Sequence, residues 1–139
     1  MRIMAIDYGD AHTGIAISDP TGFLTGFTTV INAYRPEAVA EQVASLARET
    51  GAEELVLGHP INMDGTRGPR SDKARAMAEL LKEATGLPVV LWDERRTTID
   101  AHQILFNSGK NAKKRKKVVD AVAASLILEG YLTYKKSHP

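Results

Sequence analysis

Arg2-Ile3-Met4-Ala5-Ile6-Asp7 is a short apolar run that closes on a carboxylate, and Tyr8-Gly9-Asp10-Ala11-His12-Thr13-Gly14 follows at once. An uninterrupted apolar run of this length reads as a strand buried on both faces, the kind found inside a sheet covered by helices. Its terminal acid, with Gly9 two residues on, aims a negative charge out of a rigid sheet end. Taken alone, Asp7-Tyr8-Gly9 is an ordinary turn in which the aspartate bonds its own backbone. A buried unpaired carboxylate is costly, however, so further acids converging on the same place would point to a divalent cation.

Working outward, residues 13–18 and 23–31 also read as strands, separated by the turn Asp19-Pro20-Thr21-Gly22. Loops this short imply two antiparallel hairpins. The rhythm then changes. Pro36 suits a first helical position, Ala38, Val39, Val43, Leu46 and Ala47 form one apolar stripe, and Gly51 suits a C-terminal cap. A strand over 54–58, a long polar loop from His59 to Ser71, a helix over 72–84 and a strand Val89-Val90-Leu91-Trp92 follow. That strand ends in Asp93-Glu94. Thr97 with Asp100 resembles a capping box opening a helix to about Phe106, and a last helix runs from Ala112 to Tyr134.

The expected fold is therefore α/β. Three antiparallel strands precede helix–strand–helix–strand crossovers, which are nearly always right-handed and parallel. The result is a mixed five-stranded sheet with helices on both faces, in one domain spanning 1–139. Sites in such sheets gather beyond the carboxyl ends of the strands, where Asp7 and Asp93-Glu94 both fall. Asp120 is the sole charge between Lys117 and Glu129, and on a helix it shares a small apolar face with Ala123, Ala124 and Ile127. Three acids so placed make an all-oxygen cage suited to Mg²⁺ or Mn²⁺, with Asp7 bridging two ions. The chemistry implied is metal-assisted phosphodiester hydrolysis. Successive strand residues point to opposite faces, so one of Asp93 and Glu94 faces the metals while the other orients Arg95 or caps the next helix. Glu94 is preferred for its longer arm.

Composition sets the outer limits. With 43% hydrophobic and 25% charged residues the chain is an ordinary globular sequence, and the absence of cysteine excludes disulfides and thiolate metal sites. No apolar run approaches the ~20 residues of a membrane span, and the early Asp7 does not suit a signal peptide, so a cytoplasmic protein is expected. The net charge of +1 hides an asymmetry: 110–139 carries +6 and 1–109 carries −5. A basic end on an acidic body suits a polyanionic partner, although a solvated lysine-rich helix start looks the same.

Four motifs in order, Asp7-x-Gly9 with Gly14, Gly58-x-Pro60-x-Asn62-Met63-Asp64-Gly65-Thr66, Asp93-Glu94-Arg95-x-Thr97-Thr98 and Asp120-Ala121-x-Ala123-Ala124, resemble the YqgF/RuvX family of the ribonuclease H superfold over nearly the whole chain. The resemblance implies a ribonuclease H-like fold, with catalytic acids at Asp7, Asp93 or Glu94, and Asp120. It also implies a nuclease of ribosome biogenesis, maturing the 5′ end of precursor 16S rRNA, and by analogy Holliday-junction resolution. His59 stands where relatives usually have Leu or Met.

Smaller expectations complete the reading. Asn62, Arg67 and Arg70 lie in a long loop, where Asn62 could orient substrate and the arginines meet phosphates or solvent. Gly9 shapes the turn beside the substrate. Arg95 is a phosphate clamp or an ion pair for Glu94. Lys113, Lys114 and Arg115, with Lys116 and Lys117, suit sequence-independent phosphate contacts. His12, His59, His102 and His138 lack metal-ligand spacing, and Trp92 reads as core. Nucleic acid is the expected partner, structured RNA or branched DNA. A homodimer would suit paired nicking of a junction, and a monomer stays open. Two other classes stand beside the nuclease: an actin-like or sugar-kinase ATPase, which needs two such domains, and a non-catalytic nucleic-acid-binding processing or transcription factor.

Overall fold

A computed structural model of the protein describes residues 1–61, 65–93 and 112–138, with side chains in the last stretch from residue 121 onward. The expected helix over 97–106 lies outside the described residues. Among the described residues five strands and three helices follow in order: β1 (Ile3–Asp7), β2 (His12–Ser18), β3 (Thr25–Asn32), α1 (Pro36–Thr50), β4 (Glu54–His59), α2 (Pro69–Thr85), β5 (Val89–Asp93) and α3 (Ala112–Ser137).

Two element starts differ from the sequence reading by two or three residues for local reasons, and the last helix runs on to Ser137, past Tyr134. β3 starts at Thr25 because the Asp19 carboxylate organises the preceding turn, accepting from the Phe23 amide at 3.0 Å and the Thr21 hydroxyl at 2.8 Å. α2 starts at Pro69, not residue 72, since Gly68 serves as N-cap and proline occupies the first turn, where its missing N–H costs nothing. α1 ends as expected, on Gly51 in the left-handed conformation at φ 75°.

The sheet order is β3-β2-β1-β4-β5, with β1 and β2 antiparallel, β2 and β3 antiparallel, and β1, β4 and β5 mutually parallel. β1 is central and alternates between two cores. Met4 and Ile6 join Ile15, Leu55 and Leu57 beneath α1 and α2, where Val39, Val43, Met77 and Leu81 complete the layer. Ile3 and Ala5 join Ala16, Val56 and Trp92 on the opposite face, covered by Ala124, Ile127, Leu128 and Tyr131 of α3. The alanines at 5, 16 and 124 keep that second layer thin, so α3 packs close to the sheet. Each large apolar side chain buried here stabilises the fold by roughly 1.5–3 kcal/mol.

Two polar contacts to one carboxylate set the direction of α3. The Tyr131 hydroxyl donates to Glu54 Oε1 at 2.9 Å and the Lys135 ammonium donates to Oε2 at 2.8 Å. Glu54 pairs with Ile3 at the amino edge of the parallel strands. The carboxyl end of α3 is thereby moored at that edge, and its amino end runs toward the edge where β1, β4 and β5 finish.

Candidate active site

Asp7 is the last residue of β1 and pairs in register with Gly14. Ile3 and Ala5 belong to the α3-side core, so the alternation of the strand turns Asp7, half-buried, to that same side. The helix positions 120, 124, 127 and 131 fall on one stripe of α3, and the last three are buried against the sheet. Position 120 precedes Tyr131 by roughly 16 Å of helix, while Asp7 lies roughly 13 Å of strand beyond Ile3. The two positions therefore come level at the carboxyl edge.

Asp93 goes the other way. Trp92 belongs to the α3-side core, so its neighbour Asp93 faces α2. Asp93 pairs with His59 of β4, and His59 is on the α2 side, where its Nε2 shares a hydrogen bond of 2.6 Å with the fully buried Ser71 hydroxyl. His59 is itself 7% exposed. Burial pushes its pKa below 6.5, the Arg67 and Arg75 charges push the same way, and Asp93 opposes them. The sheet thus places Asp7 and Asp93 on opposite faces. Glu94 and Arg95 lie outside the described residues, as does Asn62, and the side chains of Asp120, Lys113, Lys114 and Arg115 do too, although the backbone of these last four is helical.

Gly9 and Arg70 do come together. A cleft of about 70 Å³ opens between the β1–β2 turn, the end of β4 and the first turns of α2, with Tyr8, Gly9, Asp10, Gly58, Arg70 and Lys73 among its lining. Lys73 Nζ lies 3.4 Å from Asp10 Oδ1. Burial, then the Asp10 charge, raises the Tyr8 phenol above its ordinary value of 10.0. Arg67 is exposed in the loop before α2. Sequence reasoning missed Lys73 and Tyr8. Lys73 had a signal, since it follows Arg70 by three residues and so shares its helix face. Tyr8 had none, because the turn decides its direction.

The donors suit a hard cation. The chain has no cysteine, the buried His59 is engaged by Ser71 on the far face, and the His12 ring is paired with Asn32, so among the described residues Asp7 offers carboxylate oxygen to a cation. Among the described residues no three His, Cys, Asp or Glu side chains gather closely enough to hold a metal ion. A complete cage on the Asp7 side would draw on Glu94 and Asp120.

A family model described as RuvX, Holliday junction resolvase, matches residues 1–134. The chain belongs to the RuvX family. Its relatives include proteins of Halothermothrix orenii, 44% identical over 97% of this chain and 96% of theirs, and of Listeria monocytogenes serotype 4b, 44% identical over 95% and 97%. Both carry the provisional name of pre-16S rRNA nuclease. Among solved structures, Thermus thermophilus RuvC bound to a Holliday-junction substrate superposes with a TM-score of 0.63 at 14% identity, covering 99% of this chain and 96% of that one. Fowlpox virus resolvase, also bound to junction DNA, gives 0.61 at 13%, covering 97% and 99%. These two likenesses establish a shared ribonuclease H-like architecture for this RuvX chain. Among the described residues no helix is long and apolar enough to cross a membrane.

Proposed function

We propose that this RuvX chain is one nuclease domain spanning 1–139, that it hydrolyses phosphodiester bonds with Mg²⁺ or Mn²⁺, and that its natural substrate is the 5′ end of precursor 16S rRNA in the cytoplasm. The observation that carries the reading is the turning of Asp7 to the face that α3 covers, level with helix position 120. Asp7, Glu94 and Asp120 would hold the metal, Asp7 bridging a pair of ions. Bound there, the ions would activate a water for attack on phosphorus and stabilise the departing oxygen. Asp93, turned toward His59, is assigned to positioning the exit of β5, and Glu94 would be the acid that acts with Asp7.

Substrate would be held by the chain itself. Gly9 shapes the turn beside the substrate, Asn62 would orient it, and Arg67 and Arg70 would meet its phosphates. Arg95 acts beside Glu94, and Lys113, Lys114 and Arg115 hold the backbone from the start of α3. Contacts of this kind neutralise phosphates without reading bases, so affinity should fall steeply with salt. The names of the 44% identical relatives support the RNA substrate. The family description supports a second reading, resolution of four-way DNA junctions, for which paired nicking would require a homodimer.

One panel tests both. Purified protein with Mg²⁺, Mn²⁺ or EDTA is offered precursor rRNA, an RNA–DNA hybrid, single-stranded DNA and a four-way junction. Metal-dependent cutting of the precursor at its 5′ end is expected, and Asp7→Asn should lower it by about 10²–10³-fold with binding retained. Undiminished cleavage by Asp7→Asn would remove Asp7 from the chemistry. Binding without product in every lane would favour a non-catalytic factor.

A further inference from the structure

The cleft between Tyr8, Gly9, Gly58, Pro60, Arg70 and Lys73 lies on the α2 side of the sheet edge, whereas Asp7 is turned to the α3 side. Tyr8 is the next residue after Asp7, so the two places are separated by one peptide unit. We propose that this cleft is a phosphate subsite, holding a neighbouring phosphate of the strand that is cut beside Asp7, with Lys73 and Arg70 as its cations and Tyr8 as a neutral hydrogen-bond donor. The inference rests on the nuclease reading for the identity of the strand, and on this cleft alone for the phosphate.

Three features converge on an anion. Arg70 and Lys73 are the cations of the lining, and Asp10, largely exposed, offsets one of them through its 3.4 Å pair with Lys73. Gly58 contributes bare backbone to the wall, with no side chain to hold a tetrahedral oxyanion off. The first turn of α2 meets the cleft at Arg70, and since the Ser71 and Asp72 amides already donate to the Gly68 carbonyl, the 17-residue helix adds the field of its positive end and not free donors. The height of that turn is fixed by the buried His59–Ser71 hydrogen bond, which ties β4 to α2. A polynucleotide strand crossing the edge at Gly9 would thus be gripped on one side of β1 and cut on the other. Asp10 competes with the phosphate for Lys73, so it acts as a brake on the subsite.

The test uses binding in the Asp7→Asn background, where cleavage does not intrude. Lys73→Ala and Arg70→Ala should each weaken affinity for a single-stranded RNA oligonucleotide about three- to tenfold at low salt and reduce the slope of log K against log salt by about 0.7. Asp10→Asn should act oppositely and tighten binding. Titration of inorganic phosphate into the full chain, followed by backbone amide shifts, should move Gly9 and Ser71. Wild-type affinity and salt slope in both alanine variants, or a phosphate titration that leaves Gly9 and Ser71 unmoved, would overturn the subsite. If the amides move and the variants respond while the panel above yields no product, the subsite stands and the nuclease reading falls.

Discussion

Gly9→Ala is the most direct probe of how the β1–β2 turn serves the site. A Cβ built at Gly9 would sit 2.3 Å from the His12 carbonyl oxygen, whereas real Cβ atoms essentially never approach below 3.0 Å, so about 0.7 Å must be found. The oxygen cannot easily supply it. His12 begins β2, is paired in register with Asn32 of β3, and its Nδ1 lies 2.6 Å from Asn32 Oδ1. The strain therefore passes to the other arm of the turn, which is the exit of β1 at Asp7. Overpacking of this kind costs about 1–3 kcal/mol. For 139 residues that is roughly 3–10 °C in Tm. A displacement approaching 1 Å at a catalytic group lowers turnover by about 10–100-fold. Gly51→Ala is the control: at φ 75° with nothing within 4 Å, it pays only for left-handed backbone, about 1–2 kcal/mol, far from Asp7. Thermal unfolding and metal-dependent cleavage are measured on both. Gly9→Ala that cuts at the wild-type rate, or loses no more activity than Gly51→Ala, would refute the link from turn to site.

The opposite facing of Asp7 and Asp93 predicts that Glu94→Gln lowers cleavage by about 10²–10³-fold while Asp93→Asn keeps most of it; equal losses in a side-by-side rate assay would reverse the assignment. The depressed His59 pKa makes an acid limb. Above 6.5 the ring is neutral folded or unfolded, and below it the unfolded chain takes a proton that the native site resists, so stability falls as pH falls. Urea midpoints between about pH 5 and 7 should lose part of that slope in His59→Met, and an unchanged slope would assign the limb to other groups. Tyr131 titrates in the opposite sense, because burial, and then its bond to Glu54, raise its pKa above 10.0. Its contribution is complete below pH 10 and is lost as pH rises further, since only the unfolded phenol gives up its proton there. Tyr131→Phe should flatten this alkaline limb and, by stripping Glu54 of a donor, cost about 1–3 kcal/mol at neutral pH; melts across the range decide it.

Much of the architecture was legible because it is written in local patterns. The apolar run before Asp7, the Pro36 and Gly51 signals and the small face around Ala124 each announce an element without reference to the rest. The start of α2 was missed although Gly68-Pro69 carries a helix-start signal, because the polar residues around it read equally as loop. The face that Asp93 takes was not legible in the sequence. It depends on which core Trp92 joins, and that is settled by β5 lying beside β4 in a register no local pattern encodes. His59 is similar: without metal-ligand spacing it looked idle, and its partner Ser71 is twelve residues away across a loop. Lys73, three residues past Arg70, was readable and went unread.

The mooring of α3 at Glu54 has a consequence for how this chain can vary in length. The helix is held at one edge of the sheet and delivers position 120 to the other, so the residues between them act as a ruler with an angular scale. Insertion of a single residue between 120 and 131 would advance position 120 by about 1.5 Å and swing it by about 100°. The translation is tolerable and the rotation is not. Length changes in this half of the helix should therefore be refused, since even a whole turn, which restores the angle, carries position 120 about 5.4 Å along the axis and out of level with Asp7.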